Sequence, residues 1–430
     1  WDHETERGNL MVLLKNIQRF FFFLFALDIL FLGSGINIPG LGISSRKIFF
    51  GIFFCLSFFV YFCDFSGRGK IDVLTITIAV LFLFTWVFFI PLLGGGNFAY
   101  AISDAMPLIA SGVFLLTTDF SGWNNAWNYI RRILLIFLYG FSLLHVILYL
   151  IFLVRPDFLG FLQSAFAVVL DVGTGDDARY VFFTPLDGGG VRVYFGSSFL
   201  LLIGIYFLLS DDGDFFGRGL RSKIFFAALL VGALWATNTR SFMMGSIAML
   251  LSFSIFRWLM AYMKKSWLTI FTLLSLPFML IFLLIPTVDV EILQIFGLER
   301  GGSDDIRFIQ LYPLMNAFLE NYVFGLGFGA SASFVRAEDA PYAYELSILA
   351  LFMKIGLVGV MVACGIFATT LRNILSRESG GSIKKISAVY ALYFSFIISC
   401  FYNPYIFGFF GTFFVLFVLY EFSFLVKAHK

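Results

Sequence analysis

Residues 287–359 join a long polar stretch to the start of an apolar run. The polar part reads TVDVEILQIFGLERGGSDDIRFIQLYPLMNAFLENYVFGLGFGASASFVRAEDAPYAYE, and the apolar part, residues 346–359, reads LSILALFMKIGLVG. The polar part carries three arginines, a glycine cluster and, at the mouth of the apolar run, the carboxylate of Glu345. The rest of the chain is almost continuous apolar sequence, so we expect the chemistry of the protein in this stretch.

Composition predicts the fold class. Of the 430 residues, 60% are hydrophobic and 13% charged, and the mean hydropathy is +0.93, whereas roughly a quarter of the residues in soluble domains are charged. A spanning helix needs about 20 apolar residues, and membrane β-strands would alternate instead of forming long apolar runs. We therefore predict an all-α polytopic membrane protein, with no soluble domain.

About twelve transmembrane helices are predicted, together with two large periplasmic loops. The apolar runs fall near residues 17–36, 48–63, 72–93, 98–117, 133–154, 195–210, 223–238, 241–262, 266–286, 342–371, 386–402 and 407–426.

The placement of Lys and Arg in the short loops predicts the orientation. With the N-terminus inside, nearly every basic loop alternates correctly, so both termini are expected in the cytoplasm. The first ten residues are more polar than the rest of the chain, and we interpret them as a short tail or as an addition before a natural start at Met11. The predicted division is a cytoplasmic tail 1–16, one transmembrane domain 17–426 with periplasmic loops 155–194 and 287–341, and a cytoplasmic tail 427–430.

Arginines in the outer loops run against the usual bias of positive charge toward the cytoplasm. They are Arg179 and Arg192 in the first loop, Arg240 in the tight TNTRS link, and Arg300, Arg307 and Arg336 in the second loop. A guanidinium group can form two parallel hydrogen bonds to phosphate oxygens, and it stays charged at every relevant pH. We expect these residues to bind an anionic substrate, and Arg192, Arg240 and Arg307 to converge on one pyrophosphate.

A structural explanation of the same arginines stays open. Each could instead form an ion pair with a nearby loop carboxylate, for which Asp187, Asp304 and Asp305 are the candidates. The link around Arg240 is too short to need a charge for solubility, so this arginine favours the functional explanation.

Glu345 is the candidate catalytic base. Ionisable groups at the edge of an apolar span are costly and usually functional, and a carboxylate can accept a proton from an attacking sugar hydroxyl. The alternative is a salt bridge from Glu345 to Arg336 or to one of the pyrophosphate-binding arginines. Arg240 is assigned a catalytic role beside it, because it would offset the charge of the leaving pyrophosphate.

Other kinds of site are not predicted. The four cysteines lack metal-ligand spacing, the three histidines are scattered, and no nucleotide-binding signature is present. We expect no metal, no cofactor and no nucleic-acid partner. An enzyme acting at the outer face would then need an activated donor that is already in the membrane.

These features together resemble the superfamily of O-antigen polymerases and O-antigen ligases of bacterial envelopes. The topology is similar over most of the chain, and three motifs carry the resemblance. TNTRSFMMGSIAMLL resembles a Ser-Arg-Gly segment that opens a span, with Arg240 at the arginine. VRVYFGSS resembles the motif that closes the first loop, with Arg192 at the arginine. DDIRFIQLYPLMNAFLENYVFGLGFG resembles the segment of the second loop in which Arg307 precedes a glycine-rich region.

A fourth motif departs from the ligase pattern. Ligases carry a His-Asn pair before a Leu-rich run that ends in Gly-x-x-Gly, and alignment of that run with LSILALFMKIGLVG places Glu345 where the histidine would be. The resemblance therefore favours the polymerase branch, with Glu345 in place of the ligase base.

The resemblance implies a polymerase in the bacterial inner membrane. Its substrates would be undecaprenyl-pyrophosphate-linked oligosaccharides, one as donor and one as acceptor, joined at the periplasmic face with inversion. Membrane lipids and a chain-length regulator protein are the further partners that it allows. Two alternatives stay open: a ligase that transfers the glycan to lipid A core, and a flippase or transporter of lipid-linked oligosaccharides.

Overall fold

The structure, a computed structural model, describes residues 2–32, 45–63, 73–117, 124–162, 181–185, 191–210, 219–262, 303–335, 340–375, 383–401 and 409–427. Helices dominate these residues, as the all-α prediction requires. They are α1 Asp2–Leu32, α2 Ser45–Cys63, α3 Val73–Leu83, α4 Ile90–Leu93, α5 Phe98–Thr117, α6 Asn124–Val154, α7 Leu201–Ser210, α8 Leu220–Thr237, α9 Arg240–Tyr262, α10 Ser303–Glu320, α11 Ser347–Leu375, α12 Ile383–Phe401 and α13 Phe409–Lys427. A π-helical segment, Phe84–Phe89, joins α3 to α4, and a 3₁₀ helix, Gly196–Leu200, precedes α7.

The chain is built as a multi-pass membrane protein. Among the described residues, six helical stretches are long and apolar enough to cross a membrane: Asn9–Asp28, Trp127–Val154, Leu220–Thr237, Arg240–Tyr262, Ser347–Ile366 and Ile383–Cys400. Each overlaps a predicted span. Helix α13 coincides with the predicted span 407–426, and the predicted span 266–286 lies outside the described residues. The total of twelve spans stays a prediction.

Small residues bring α9 and α12 into close contact. A Cβ added at Gly245 of α9 would lie 2.5 Å from the Ser399 Oγ and 3.3 Å from the Ser395 carbonyl oxygen of α12. Close backbone approach at small residues is the usual way in which membrane helices associate. The residue after Arg240 is part of the same contact, because the Ser399 hydroxyl donates to the Ser241 carbonyl oxygen at 3.2 Å.

A buried charge cluster ties α6 and α7 to α13. Glu421 forms an ion pair with Arg131, whose Nε lies 2.8 Å from the carboxylate. The same carboxylate oxygen accepts a hydrogen bond from Trp127 Nε1 at 2.9 Å, and the other oxygen accepts one from the Tyr206 hydroxyl. Arg131 lies just before the predicted span 133–154, inside α6, and is buried. Glu421 compensates its charge there.

The first predicted outer loop contains a β-hairpin that the sequence analysis did not predict. Strand β1, Val181–Pro185, pairs antiparallel with β2, Val191–Phe195, so that Thr184 lies opposite Arg192. His145 of α6 supports the end of the hairpin, since its imidazole hydrogen-bonds Ser198 Oγ at 2.9 Å and the Phe141 carbonyl oxygen at 2.8 Å. The hairpin is a small addition to a helical fold.

Helix α11 is interrupted in its apolar half. Gly356 has φ 60° and ψ −174°, a conformation that L-residues with side chains rarely adopt. The break frees backbone groups that would otherwise bond within the helix, and in an apolar environment each unsatisfied group costs several kcal/mol. The bundle must therefore supply partners for them.

Residues 321–329, which we call the glycine turn, supply these partners. The N–H groups of Leu326 and Gly327 donate to the carbonyl oxygens of Met353 and Lys354 at 2.9 and 2.8 Å. On the other side of the break, the N–H groups of Leu357 and Val358 donate to the Tyr322 and Val323 carbonyl oxygens at 2.8 and 3.0 Å. The glycine turn thus completes α11.

The π-helical segment holds the glycine turn from the opposite side. Trp86 Nε1 donates to the Phe324 carbonyl oxygen at 2.7 Å, and the Phe328 N–H donates to the Trp86 carbonyl oxygen at 2.9 Å. The glycines of this segment form a turn that is packed between α11, α5 and the π-helical segment, and its backbone N–H groups donate to residues of all three.

Candidate functional site

Arg307 and Glu345 meet at the entrance to α11. Arg307 lies near the start of α10, and Glu345 lies two residues before α11 begins. Arg307 Nε is 3.0 Å from Glu345 Oε2, and the two side chains are 22% and 13% exposed. Of the alternatives left open for Glu345, the salt bridge to one of the arginines assigned to the pyrophosphate, Arg307, is therefore present.

Gln310 fixes the backbone of Glu345. It lies one helical turn after Arg307 on α10 and is buried, and its Oε1 accepts the Glu345 N–H at 3.0 Å. Its Nε2 has no hydrogen-bond partner among the described residues. Gln310 was not among the residues predicted for the site. A polar side chain three residues from Arg307, on the same helix face, was the feature of the sequence that could have indicated it.

Tyr344 anchors the segment beside Glu345. Its hydroxyl accepts the Ala332 N–H at 2.6 Å and donates to the Phe334 carbonyl oxygen at 3.1 Å. Burial raises the pKa of this hydroxyl above its ordinary value of 10.0, so it stays protonated and keeps both bonds. Glu345 is thus held by the hydrogen bond from its own N–H to Gln310 and by the hydrogen bonds of the preceding residue, Tyr344.

Arg192 binds the link between α8 and α9. Its Nε donates to the Thr237 carbonyl oxygen at 3.1 Å, and its Nη2 donates to Thr239 Oγ1 at 3.0 Å. The guanidinium also lies over the Tyr194 ring, 5.0 Å from the centroid. The hairpin thereby brings Arg192 to the residues immediately before Arg240.

Arg240 is the first residue of α9 and is partly buried. The link before it is as tight as predicted: α8 ends at Thr237, and Asn238 caps it with a left-handed backbone conformation, φ 42°. Only Asn238 and Thr239 separate the two helices. Arg192 and Arg240 therefore belong to one local structure.

Two adjacent residues at the end of α12 connect this structure to Glu345. The Ser399 hydroxyl contacts the Ser241 carbonyl oxygen, and the Cys400 carbonyl oxygen accepts the Ser347 hydroxyl at 2.5 Å. Ser241 follows Arg240, and Ser347 begins α11 just after Glu345. Arg240 and Glu345 therefore both lie next to residues that contact the same end of α12.

The remaining assigned residues fall outside the described part of the chain. These are Arg179 and Arg336, together with Asp187; the side chains of Asp304 and Asp305 are also outside it. Whether those arginines form ion pairs with loop carboxylates stays open. Convergence on one pyrophosphate stays a prediction: Arg192 contacts the link just before Arg240, whereas the contact described for Arg307 is with Glu345.

A second ion pair lies deeper in the bundle. Lys354 Nζ is 2.7 Å from an Asp104 carboxylate oxygen, and both side chains are almost fully buried, at 0% and 1% exposure. Lys354 also donates to the Tyr342 carbonyl oxygen at 2.9 Å, and Asp104 accepts the Gly329 N–H at 2.8 Å. The pair therefore links α5, α11 and the glycine turn.

No group of three or more His, Cys, Asp or Glu residues suited to a metal ion occurs among the described residues. Comparisons with protein-family models, with curated proteins and with solved structures found no match.

Proposed function

We propose that this protein polymerises undecaprenyl-pyrophosphate-linked oligosaccharide repeat units, of O-antigen or a related surface polysaccharide, at the periplasmic face of the bacterial inner membrane. The main support is the Arg307–Glu345 contact of 3.0 Å, since it joins an anion-binding group to a proton acceptor. Arg192 and Arg240 supply further positive charge at the same end of the bundle. Neither a metal nor a cofactor is needed, because arginines carry the positive charge.

In the proposed reaction, a hydroxyl oxygen of the acceptor glycan attacks the anomeric carbon of the donor. The new carbon–oxygen bond forms as the bond from that carbon to the pyrophosphate oxygen breaks, with inversion. Glu345 takes the hydroxyl proton. The arginines hold the undecaprenyl pyrophosphate as its negative charge grows, and preorganised cations are most effective in this role.

The Arg307–Glu345 pair gives this reaction an order. While Arg307 contacts Glu345 Oε2, an acceptor hydroxyl must compete with the guanidinium for that oxygen. A donor pyrophosphate is a stronger attractant for a guanidinium than one carboxylate is, because it offers several charged oxygens. Donor binding would therefore draw Arg307 away and free Glu345 for the acceptor.

A ligase reaction on lipid A core is the nearer alternative. It uses the same donor, and the difference lies in the acceptor and in the base. His145, a candidate within a described helix, is fully buried against Ser198 and Phe141. Glu345 therefore remains the residue suited to proton transfer, which favours the polymerase.

A flippase or transporter of lipid-linked oligosaccharides is the alternative from another class. The buried Lys354–Asp104 pair favours it, because transporters place functional charges at interrupted membrane helices. Lys354 lies about 10 Å along α11 from Ser347 at 1.5 Å per residue. The pair is nonetheless saturated by Tyr342 and Gly329, which is the arrangement expected of a structural contact.

Purified protein supplied with the lipid-pyrophosphate-linked repeat unit of its host tests the proposal. We expect a ladder of products on a gel with wild type and with Glu320→Gln, an exposed carboxylate of the same helix α10, and none with Arg240→Ala or Glu345→Gln. Transfer that requires lipid A core would instead make the protein a ligase. Movement of the lipid-linked unit across liposomes without a ladder would support the transporter.

A further inference from the structure

Gln310 contacts the backbone of Glu345 and carries a donor that has no partner among the described residues. Its Oε1 is engaged by the Glu345 N–H at 3.0 Å, and this backbone donor fixes the orientation of the amide, because only an oxygen can accept it. The Nε2 group consequently points away from the Glu345 N–H. Among the described residues it has no hydrogen-bond partner, and the side chain is 0% exposed.

A buried amide nitrogen without a partner is costly. Such a group loses its bonds to water and gains none in return, at about 1–3 kcal/mol. Met, of about the same length, would avoid that cost but would leave the Glu345 N–H without its acceptor. The position therefore pays for a donor that the substrate-free protein does not use.

We propose that the Nε2 amide of Gln310 binds a hydroxyl of the acceptor sugar, next to the hydroxyl that Glu345 deprotonates. This inference rests on the proposed function, since it assigns the acceptor subsite of that reaction. Neutral amide donors suit sugar hydroxyls, and sites that hydrogen-bond a hydroxyl reject analogues lacking it more strongly than apolar pockets do. Gln310 then determines which acceptor is used.

Access to the amide depends on the position of Arg307. Arg307 lies one turn before Gln310 on α10 and is the more exposed partner of the ion pair, at 22%. When its guanidinium moves to a pyrophosphate, the space beside Glu345 and Gln310 opens. The acceptor hydroxyls then reach the carboxylate and the amide together.

Binding of the lipid-free repeat-unit oligosaccharide, released from the host lipid by mild acid, tests the subsite without turnover. Its affinity would be measured in the presence of undecaprenyl pyrophosphate, for the intact sugar and for analogues that each lack one hydroxyl. We expect one deoxy analogue to bind wild type about tenfold more weakly, as for a lost hydrogen bond. Gln310→Met should bind the intact sugar about tenfold more weakly and no longer distinguish that analogue.

Two further variants separate this role from a structural one. Asn316→Ser alters an exposed amide on the same helix and should leave binding unchanged. Gln310→Glu keeps an oxygen for the Glu345 N–H but has no amide donor, so it should also lose the discrimination. Retained discrimination in Gln310→Glu, or equal loss for every analogue in Gln310→Met, would reduce Gln310 to a support for the Glu345 backbone.

The polymerase assignment is judged separately by the product ladder. Discrimination at Gln310 without a ladder would leave a sugar-binding subsite in a protein that is not a polymerase. A ladder without discrimination would reject the subsite alone.

Discussion

Gly325 and Gly356 approach each other so closely that neither position has room for a side chain. A Cβ on Gly356 would lie 2.5 Å from the Gly325 nitrogen, and a Cβ on Gly325 would lie 2.5 Å from the Lys354 carbonyl carbon. Both residues have positive φ, 70° and 60°. The contact is between two backbones, so no rotamer change can relieve it.

Alanine at either glycine should therefore destabilise the protein. Positive φ costs a residue with a Cβ about 1–2 kcal/mol, and the backbone contact adds to it, so we expect Gly325→Ala and Gly356→Ala each to lose at least ~2 kcal/mol. Gly365, later on α11, has open space around its Cβ position, and Gly365→Ala should be neutral or stabilising. Thermal unfolding in detergent measures all three; equal melting temperatures would contradict the interpretation.

The Lys354–Asp104 pair should behave as a buried structural contact. Removing one partner leaves the other charge buried and uncompensated, which typically costs about 3–5 kcal/mol. We expect Lys354→Met and Asp104→Asn each to lower the melting temperature strongly, and the double variant to recover part of the loss. Asp104→Asn retains an oxygen for the Gly329 N–H. A double variant as unstable as the sum of the singles would show that the two residues act independently.

Loss of the Arg307 guanidinium should slow polymerisation more than it changes folding. We expect Arg307→Ala to lower kcat by about 10²–10³, the usual effect of removing one preorganised charge, and Arg307→Lys to recover part of it. The combination with Glu345→Gln should be little slower than the worse single variant, because both residues serve one step. Initial rates with a labelled donor provide the measurement, and wild-type activity in Arg307→Ala would remove Arg307 from the site.

The Thr239 hydroxyl should affect donor binding because it positions Arg192. Thr239→Val removes the acceptor that holds Nη2 at 3.0 Å, and a lost hydrogen bond of about 1 kcal/mol corresponds to a roughly fivefold change. We expect the KM for the lipid-linked donor to rise by about that factor while kcat changes less. Ser254→Ala, which alters an exposed hydroxyl on helix α9, is the control. A fall in kcat with unchanged KM would place Arg192 outside donor binding.

Local sequence patterns predicted the helices and one part of the site. The apolar runs 223–238 and 241–262 predicted α8 and α9, and the brevity of TNTRS predicted the tight link before Arg240. Both depend on residues close in sequence. A salt bridge of Glu345 was one of the two explanations that the sequence allowed, but the sequence could not choose its partner among Arg336 and the arginines assigned to the pyrophosphate.

Long-range contacts explain what the sequence did not predict. LSILALFMKIGLVG has the composition of a continuous apolar helix, and the break at Gly356 depends on a turn that lies earlier in the chain. Lys354 pairs with a residue 250 positions away. A lysine within an apolar run indicates that a buried partner exists, but the sequence does not show which residue that partner is.

Ser241 and Ser347 both hydrogen-bond to the end of α12, and this has a consequence for biosynthesis. The ribosome makes the Arg240 segment first and the Glu345 segment much later, and the two serines are bridged by Ser399 and Cys400, which emerge later still. A nascent chain that stops before residue 399 carries every described candidate side chain yet lacks the bridge that aligns them. Completion of this site is therefore tied to near-complete translation, and an early-terminated chain is expected to be inert in the membrane.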